Sequence, residues 1–304
     1  MTDAVAAQGP HESGRLPAWI RTRPPQGERY VALKSRIERL QLGTVCREAR
    51  CPNVAECWEA GSATIMLLGQ DCTRRCSFCA VHTRSPHGVV DADEPRRVAE
   101  AVAQSGLRYV VLTQVCRDDL VDGGAALMAE TVERIHAGAP SVGVELLIGD
   151  LGGEVEPLRT VLRARPEVLA HNLETVRSLS HEVRDRRASY ERSLTVLREA
   201  QVQGGSGVVT KSSIMLGLGE TEEEVRATLA DLKEARVNLV TFGQYLRPTP
   251  AHRAVARFVP PEEFARWKEY AIAQGFDGAE AGPMVRSSYH AEELYHAARV
   301  GSGE

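Results

Sequence analysis

Six of the seven cysteines in this 304-residue chain fall into two tight trios: Cys46, Cys51, Cys57 and Cys72, Cys76, Cys79. A chain of this length that is 43% hydrophobic can fold around its own core, so clustered thiols point to metal and not to a disulfide scaffold. Zinc takes four tetrahedral ligands, usually from paired C-x2-C units or cysteines joined by histidines, and each trio stops one ligand short. In Cys72-Thr-Arg-Arg-Cys76-Ser-Phe-Cys79, the C-x3-C-x2-C spacing lets three thiolates bind three irons of a cubane cluster. The fourth iron is left open for chemistry. The C-x4-C-x5-C spacing of Cys46, Cys51 and Cys57 matches no common zinc module and implies a second cluster. The plainer readings are a structural zinc knuckle for one trio and buried thiols acting as small hydrophobes for the other. Charge at Arg47, Glu48, Arg50 and Glu56 sits poorly with the latter.

The elements that must position these thiols are readable from apolar periodicity. Short apolar runs at 63–68, 109–113, 144–148, 168–170, 212–216 and 239–242 predict strands. Amphipathic stretches at 96–104, 125–136, 155–163, 190–201 and 222–235 predict helices between them. The repeated βα order implies a parallel sheet covered by helices, an α/β fold of the partial six-unit TIM-barrel type. Active sites of such barrels lie at the C-terminal ends of the strands, and the C-x3-C-x2-C loop follows the first strand directly. Residues 30–42 show a helical rhythm ending at Gly43, so the first trio is expected in irregular backbone after a helix. Four segments are expected: a mobile arm at 1–16, an extension carrying the first trio at 17–61, the barrel at 62–250, and a C-terminal helix and tail at 251–304. Pro17-Ala-Trp19-Ile20 is the expected tie between arm and body, with Trp19 as anchor.

Composition excludes several classes of function. A net charge of −4 gives no global positive field for nucleic acid, and no apolar stretch approaches the roughly 20 residues of a membrane span. The N-terminus lacks the apolar core of a secretory signal and the acid-free, arginine-rich face of a transit peptide, so a reducing cytoplasm is expected.

The C-x3-C-x2-C motif resembles that of the radical S-adenosylmethionine (SAM) superfamily. Both trios in their flanks, Thr-Val-Cys46, Cys51-Pro-Asn, Glu-Cys57-Trp and Cys79-Ala-Val, resemble the lipoyl synthase family. Further blocks match in family order: Asp93-Glu94-Pro95, Arg117-Asp118-Asp119-Leu120, Asp122-Gly123-Gly124, His171-Asn172-Leu173-Glu174-Thr175-Val176, Gly217-Leu218-Gly219-Glu220-Thr221, Gly243-Gln244-Tyr245-Leu246 and Arg286-Ser287-Ser288-Tyr289-His290-Ala291. The likeness runs from residue 16 to about 295. It implies a 4Fe-4S cluster on Cys72, Cys76 and Cys79 that holds and cleaves SAM, and a sacrificial 4Fe-4S cluster on Cys46, Cys51, Cys57 and Ser288. The implied reaction inserts two sulfur atoms, at C6 and C8 of a protein-bound octanoyl group. Implied partners are an octanoylated lipoyl carrier (a 2-oxoacid dehydrogenase E2 domain or a glycine cleavage H protein), a ferredoxin or flavodoxin-type electron donor and an iron-sulfur carrier. The rival functions are sulfur insertion into another substrate and a non-catalytic iron-sulfur or zinc module.

Within that frame, Asn172 and Glu174 follow the fourth strand and are candidates for the SAM ribose or ammonium, with a loop or helix-cap role as the alternative. Gly217 and Gly219 follow the fifth strand and permit close approach to a ligand, while Thr221 and Glu224 form a capping-box pattern. Phe78 is expected near the adenine or as an apolar plug for the cluster loop. Lys211 and Arg247 are candidates for carboxylate recognition at the strand ends. The chain departs from the family at Cys116, where an aspartate is usual, at Gly149 in place of a proline, at Ser213 and over Thr83-Arg84-Ser85. Cys116 reads most simply as a small buried hydrophobe.

Overall fold

A computed structural model describes residues 16–21, 27–48, 51, 53–59 and 61–301. The expected arm lies outside these residues except for Leu16. Of the segment expected to tie it down, Ile20 is buried and Trp19 half exposed, so the isoleucine is the anchor.

The chain opens with helix α1 (Glu28–Arg39), strand β1 (Gly43–Thr44) and two short helices, α2 (Val45–Glu48) and α3 (Val54–Glu59). It continues through β2 (Ala63–Leu67), β3 (Asp71–Cys72), β4 (His82–Thr83), α4 (Glu94–Ser105), β5 (Tyr109–Gln114), α5 (Ala125–Gly138), β6 (Gly143–Leu147), α6 (Val155–Arg163) and β7 (Val168–Ala170). Then come α7 (Ser180–Val183), α8 (Tyr190–Gly204), β8 (Val209–Leu216), α9 (Glu222–Glu234), β9 (Leu239–Gln244), α10 (Pro261–Ala273), β10 (Gly278–Gly282) and α11 (Ala291–Gly301). The main sheet runs β1-β2-β5-β6-β7-β8-β9-β10, with β1 antiparallel to β2 and all other pairs parallel. The six expected strands are present in the expected order, forming the open sheet of a partial barrel.

Two features differ from the sequence reading. The sheet continues through a seventh parallel strand, β10, whose Gly-Ala-Glu-Ala-Gly composition carries no strand-like pattern, so the sheet crosses the expected boundary at residue 250. The first trio is also only partly in irregular backbone: Cys51 is, but Cys46 lies in α2 and Cys57 in α3, helices of four and six residues that are too short to show a period.

Alternation along the strands divides the sheet into two faces. Val110 and Leu112 of β5, Val144 and Leu146 of β6 and Leu169 of β7 pack with α4, α5 and α6; Ile214, Leu216, Val240 and Phe242 pack with α8, α9 and α10. Each such fully buried side chain contributes roughly 1.5–3 kcal/mol of transfer free energy. The opposite, inner face is partly filled by α11. Ala291 packs on Tyr109 and Val111, while Leu294 and Ala298 pack on Leu239 beside Val209, all toward the N-terminal ends of their strands. The C-terminal ends are left to the functional loops.

Candidate active site and metal centres

The loop carrying Cys72, Cys76 and Cys79 is held from four strand ends. Arg74, 6% exposed, donates to both oxygens of Asp118 after β5 (2.7 and 3.1 Å) and both oxygens of Asp150 after β6 (2.7 and 2.9 Å). Burying a guanidinium this fully requires such pairing. After β7, Val183 O accepts from Ser77 N, and the Asp185 carboxylate accepts from Arg75 N at 2.8 Å. After β9, Arg253 N donates to Ser77 O, and His252 Nε2 lies 3.0 Å from Cys79 O.

The thiols themselves are free and receive backbone donors: Arg74 N lies 3.5 Å from Cys72 Sγ, and Asp185 N 3.3 Å from Cys76 Sγ. Burial pushes Cys76 up to about 11 and Cys79 up to about 12, with the Cys72 thiolate and Glu174 carboxylate raising both further. In the first trio, burial followed by the neighbouring Cys51 raises Cys46 and pushes Cys57 up to about 12. Each trio is therefore a set of soft ligands whose joint ionisation needs a compensating cation, as a cluster of irons provides. Among the described residues, no group of three or more His, Cys, Asp or Glu side chains is arranged to hold a single metal ion. Backbone N–H groups directed at sulfur also suit a cluster, whose potential depends on such donors. The donor sets fit iron-sulfur groups.

The C-terminal turn reaches the first trio across more than two hundred residues. Asn53 Nδ2 donates to Met284 O at 2.5 Å, and Tyr289 OH to Glu56 Oε1 at 3.0 Å. Arg286 is half-buried beside Cys51, and among the described residues its side chain donates only to its own neighbour, Val285 O, at 2.7 Å. Ser288 lies in the turn closed by Tyr289 N to Arg286 O at 2.9 Å. Gly243, at the C-terminal end of β9, lets this segment onto the barrel mouth: a Cβ there would meet Val285 O at 2.2 Å. The segment between Cys51 and Cys57, the turn holding Ser288 and the end of β9 thus meet at one place.

Glu174 stands near enough to Cys76 and Cys79 for its carboxylate to raise both thiols, and Asn172 is hydrogen-bonded to it. Glu174 takes a left-handed φ of 70° and bridges to Ile214, continuing the sheet beyond β7. Its carboxylate accepts from Asn172 Nδ2 at 3.1 Å, and burial raises it above the usual carboxylate range. Asn172 Oδ1 is buried without a partner among the described residues, an acceptor left for a ligand. Phe78 packs with Val183, Leu218 and Tyr245, the apolar-plug arrangement.

Three expectations are corrected. Lys211 is the third residue of β8, not a strand-end group: its Nζ donates to both Glu145 oxygens at 2.9 and 3.0 Å on the inner face, across the short side chains of β7. A buried ammonium needs such a partner and is not available to a ligand carboxylate. Gly217 and Gly219 do not open a ligand cradle, because Glu220 accepts from the amides of 217, 218 and 219 at 2.7, 2.9 and 3.1 Å. The φ of 95° at Gly217 serves packing, since a Cβ would meet Gln244 Nε2 at 2.3 Å and Arg257 O at 2.4 Å. Arg247 donates to His252 O at 2.8 Å and to Pro250 O, so it braces its own loop. Thr221 and Glu224 form the expected capping box.

The sequence reading missed Arg74, Asp118, Asp150 and Asp185 as positioning residues. Charged residues in loops directly after strands were the available signal. Cys116 is not simply a buried hydrophobe. A hydrogen bond from its thiol lowers the Cys72 thiol, and its Sγ occupies the space beside Gly149, where a Cβ would stand 3.2 Å away. The two departures at 116 and 149 therefore accommodate one another.

Comparison with known proteins gives the chain's family. Residues 66–232 match the model of the radical SAM superfamily, and residues 3–51 match that of the N-terminal domain of lipoyl synthase of the radical SAM family. The chain is 55% identical to the lipoyl synthase of Thermus thermophilus, covering 92% of this chain and 86% of that one. It is 53% identical to that of Mycobacterium ulcerans (96% and 88%) and 52% identical to that of Pyrobaculum calidifontis (92% and 96%). Solved structures share the fold at low identity. A methylornithine synthase superposes with a TM-score of 0.55 at 15% identity, covering 79% of this chain and 72% of that one. The FeFe-hydrogenase maturase of Carboxydothermus hydrogenoformans also gives 0.55 at 15%, covering 88% and 68%. The chain belongs to the lipoyl synthase family of radical SAM enzymes.

Proposed function

We propose that the protein is the enzyme that converts a protein-bound octanoyl group to a lipoyl group, inserting sulfur at C6 and C8. The observation that carries this reading is the meeting of residues 51–57 with the turn at 284–289, through Asn53 to Met284 and Tyr289 to Glu56. A radical SAM enzyme that only cleaves SAM needs the Cys72, Cys76 and Cys79 loop alone. A second donor set beside the same barrel mouth supplies a place for the sulfur source.

When bound, the clusters and SAM supply an electron, a carbon radical able to take hydrogen from an unactivated C–H bond, and sulfide. The chain's own residues bind, aim and shield these reagents. Cys72, Cys76 and Cys79 hold the first cluster; Cys46, Cys51, Cys57 and Ser288 hold the second. A serine oxygen is a harder and more displaceable ligand than thiolate in a sulfur-rich site, which suits release of iron and sulfide. Glu174 is the counter-charge for the SAM ammonium, and the unpartnered Asn172 Oδ1 accepts from a ribose hydroxyl. Phe78, with Val183, Leu218 and Tyr245, forms an apolar wall that keeps water from the cluster loop. Arg286, half-buried and without a carboxylate partner among the described residues, balances the negative charge of a thiolate-ligated cluster at Cys51.

The substrate is an octanoyl-lysine on a lipoyl carrier, an E2 domain or an H protein. The electron comes from a ferredoxin or flavodoxin-type protein, and the second cluster is rebuilt by an iron-sulfur carrier. No described helix is long and apolar enough to cross a membrane. We place the enzyme in the reducing cytoplasm, where thiolate-bound iron persists. Anaerobic reconstitution tests the two-cluster reading: about eight irons per chain are expected, and saturation near four would reject it.

A further inference from the structure

The surface around the Cys72, Cys76 and Cys79 loop carries a positive charge that the fold does not use. Apart from Glu174, assigned above to SAM, the carboxylates around this loop cited here are already matched. Asp118 and Asp150 pair with Arg74, Asp185 with Arg187, Glu182 with Arg253, and Asp71 lies 2.6 Å from His82. Three arginines of the same region are exposed, and among the described residues none has a side-chain hydrogen bond or an ion-pair partner: Arg75, Arg84 and Arg186. The loop's own hydrogen bonds hold all three next to the thiols. Arg75 lies between Cys72 and Cys76, and its N–H donates to Asp185 at 2.8 Å; Arg186 follows Asp185, whose N–H points at Cys76 Sγ. Arg84 N donates to Cys72 O at 2.9 Å.

Three long, unpartnered guanidiniums beside one loop do nothing for stability. They raise the local positive potential beside the loop that carries the thiols. The geometry points to Arg75, Arg84 and Arg186 as the docking surface for an acidic-faced, one-electron carrier protein that reduces the cluster on Cys72, Cys76 and Cys79. This assignment rests on the radical SAM reading above. In the encounter one electron leaves the carrier, which is oxidised by one equivalent, and the cluster is reduced by one; no bond forms or breaks at the interface. Outer-sphere transfer falls steeply with distance, so a docking surface gains most when it surrounds the acceptor's own loop. Steering by exposed charges acts on association rate and is screened by salt, which gives the surface a kinetic signature.

The test compares two reductants on anaerobically reconstituted full-length enzyme: dithionite, a small anion, and reduced flavodoxin as the acidic protein donor. Wild type is set against R75E/R84E/R186E and the milder R75Q/R84Q/R186Q, following 5'-deoxyadenosine release against ionic strength. With flavodoxin limiting, the Glu variant is expected to slow by about tenfold or more at low salt and to lose most of its salt dependence. The Gln variant should fall between it and wild type, and both should keep the wild-type maximal rate with saturating dithionite. Wild-type rates with flavodoxin in both variants would overturn the assignment. So would equal losses under both reductants in the Gln as in the Glu variant, which would make the arginines supports of the cluster. A raised KM for the octanoylated carrier with unchanged flavodoxin kinetics would give the surface to the substrate protein and also overturn it. SAM cleavage without any lipoyl product in wild type would instead sink the functional reading and leave the docking result standing.

Discussion

Glu174 and His171, three residues apart on one loop, show how burial sets the working charge of a side chain. Glu174 is held beside the cluster thiols with Asn172 as its one hydrogen-bond donor among the described residues, so its carboxylate has acceptor capacity left for a ligand cation. Glu174→Gln is expected to leave iron content unchanged and weaken SAM binding about tenfold or more, the worth of a charge-assisted hydrogen bond. Equilibrium binding to reconstituted protein checks this, and an unchanged affinity would move the SAM ammonium elsewhere. His171 is 3% exposed, with Nδ1 2.9 Å from Ile148 O and Nε2 2.8 Å from Ser193 Oγ, and burial lowers it to about 4 from an ordinary 6.5. Between those values the unfolded chain binds a proton that the folded chain refuses, so stability rises with pH across that window and is lost as pH falls through it. In His171→Gln this part of the pH dependence should vanish, read as a smaller difference in denaturant midpoint between pH 5 and pH 7. At this scale the sequence was a partial guide. Asn172 and Glu174 stood out as candidates because they follow a strand. Lys211 was misplaced because a charged residue inside a strand is indistinguishable in sequence from one at its end until its partner, Glu145, is seen.

The loop of the first functional motif depends on elements as much as on cysteines. Arg74 ties it to the ends of β5 and β6, with Asp150 at 0% side-chain exposure and Arg74 at 5%. Asp150→Ala should therefore destabilise the fold by about 3–5 kcal/mol, because it leaves a buried guanidinium half paired. Chemical denaturation measures the loss. In the double variant with Arg74→Met the two effects should be far from additive, since no uncompensated charge remains. The strands that carry these ends were readable because buried parallel strands are short continuous apolar runs, as in Tyr109–Gln114 and Leu239–Gln244. β10 was not readable: Gly278 and Gly282 leave little side chain to pattern, and its place in the sheet comes from pairing with β9. α2 and α3 escaped for a different reason, since one or two turns hold no period, and their position is fixed by packing of Cys46 and Trp58 into the core.

Across the whole molecule, the chain brings the segment between Cys51 and Cys57 and the turn at 284–289 together beside the end of β9, and packs its last helix toward the N-terminal ends of the strands. Spacing alone told of two trios, but their apposition to Ser288 rests on contacts more than 200 residues apart, such as Asn53 with Met284, a separation of 231, and only family resemblance signalled it beforehand. Cys76→Ala should abolish SAM cleavage, whereas Ser288→Ala should retain cleavage and lose sulfur transfer, as seen by assaying 5'-deoxyadenosine and product in the same reaction. A normal lipoyl yield from the serine variant would contradict its role as a ligand. The most direct test of the account is an anaerobic single turnover with excess SAM, reductant and an octanoyl-lysine peptide, followed by mass measurement of the peptide. The account predicts a gain of two sulfur atoms on the octanoyl chain, drawn from the protein's own second cluster. A peptide of unchanged mass while SAM is cleaved would contradict it.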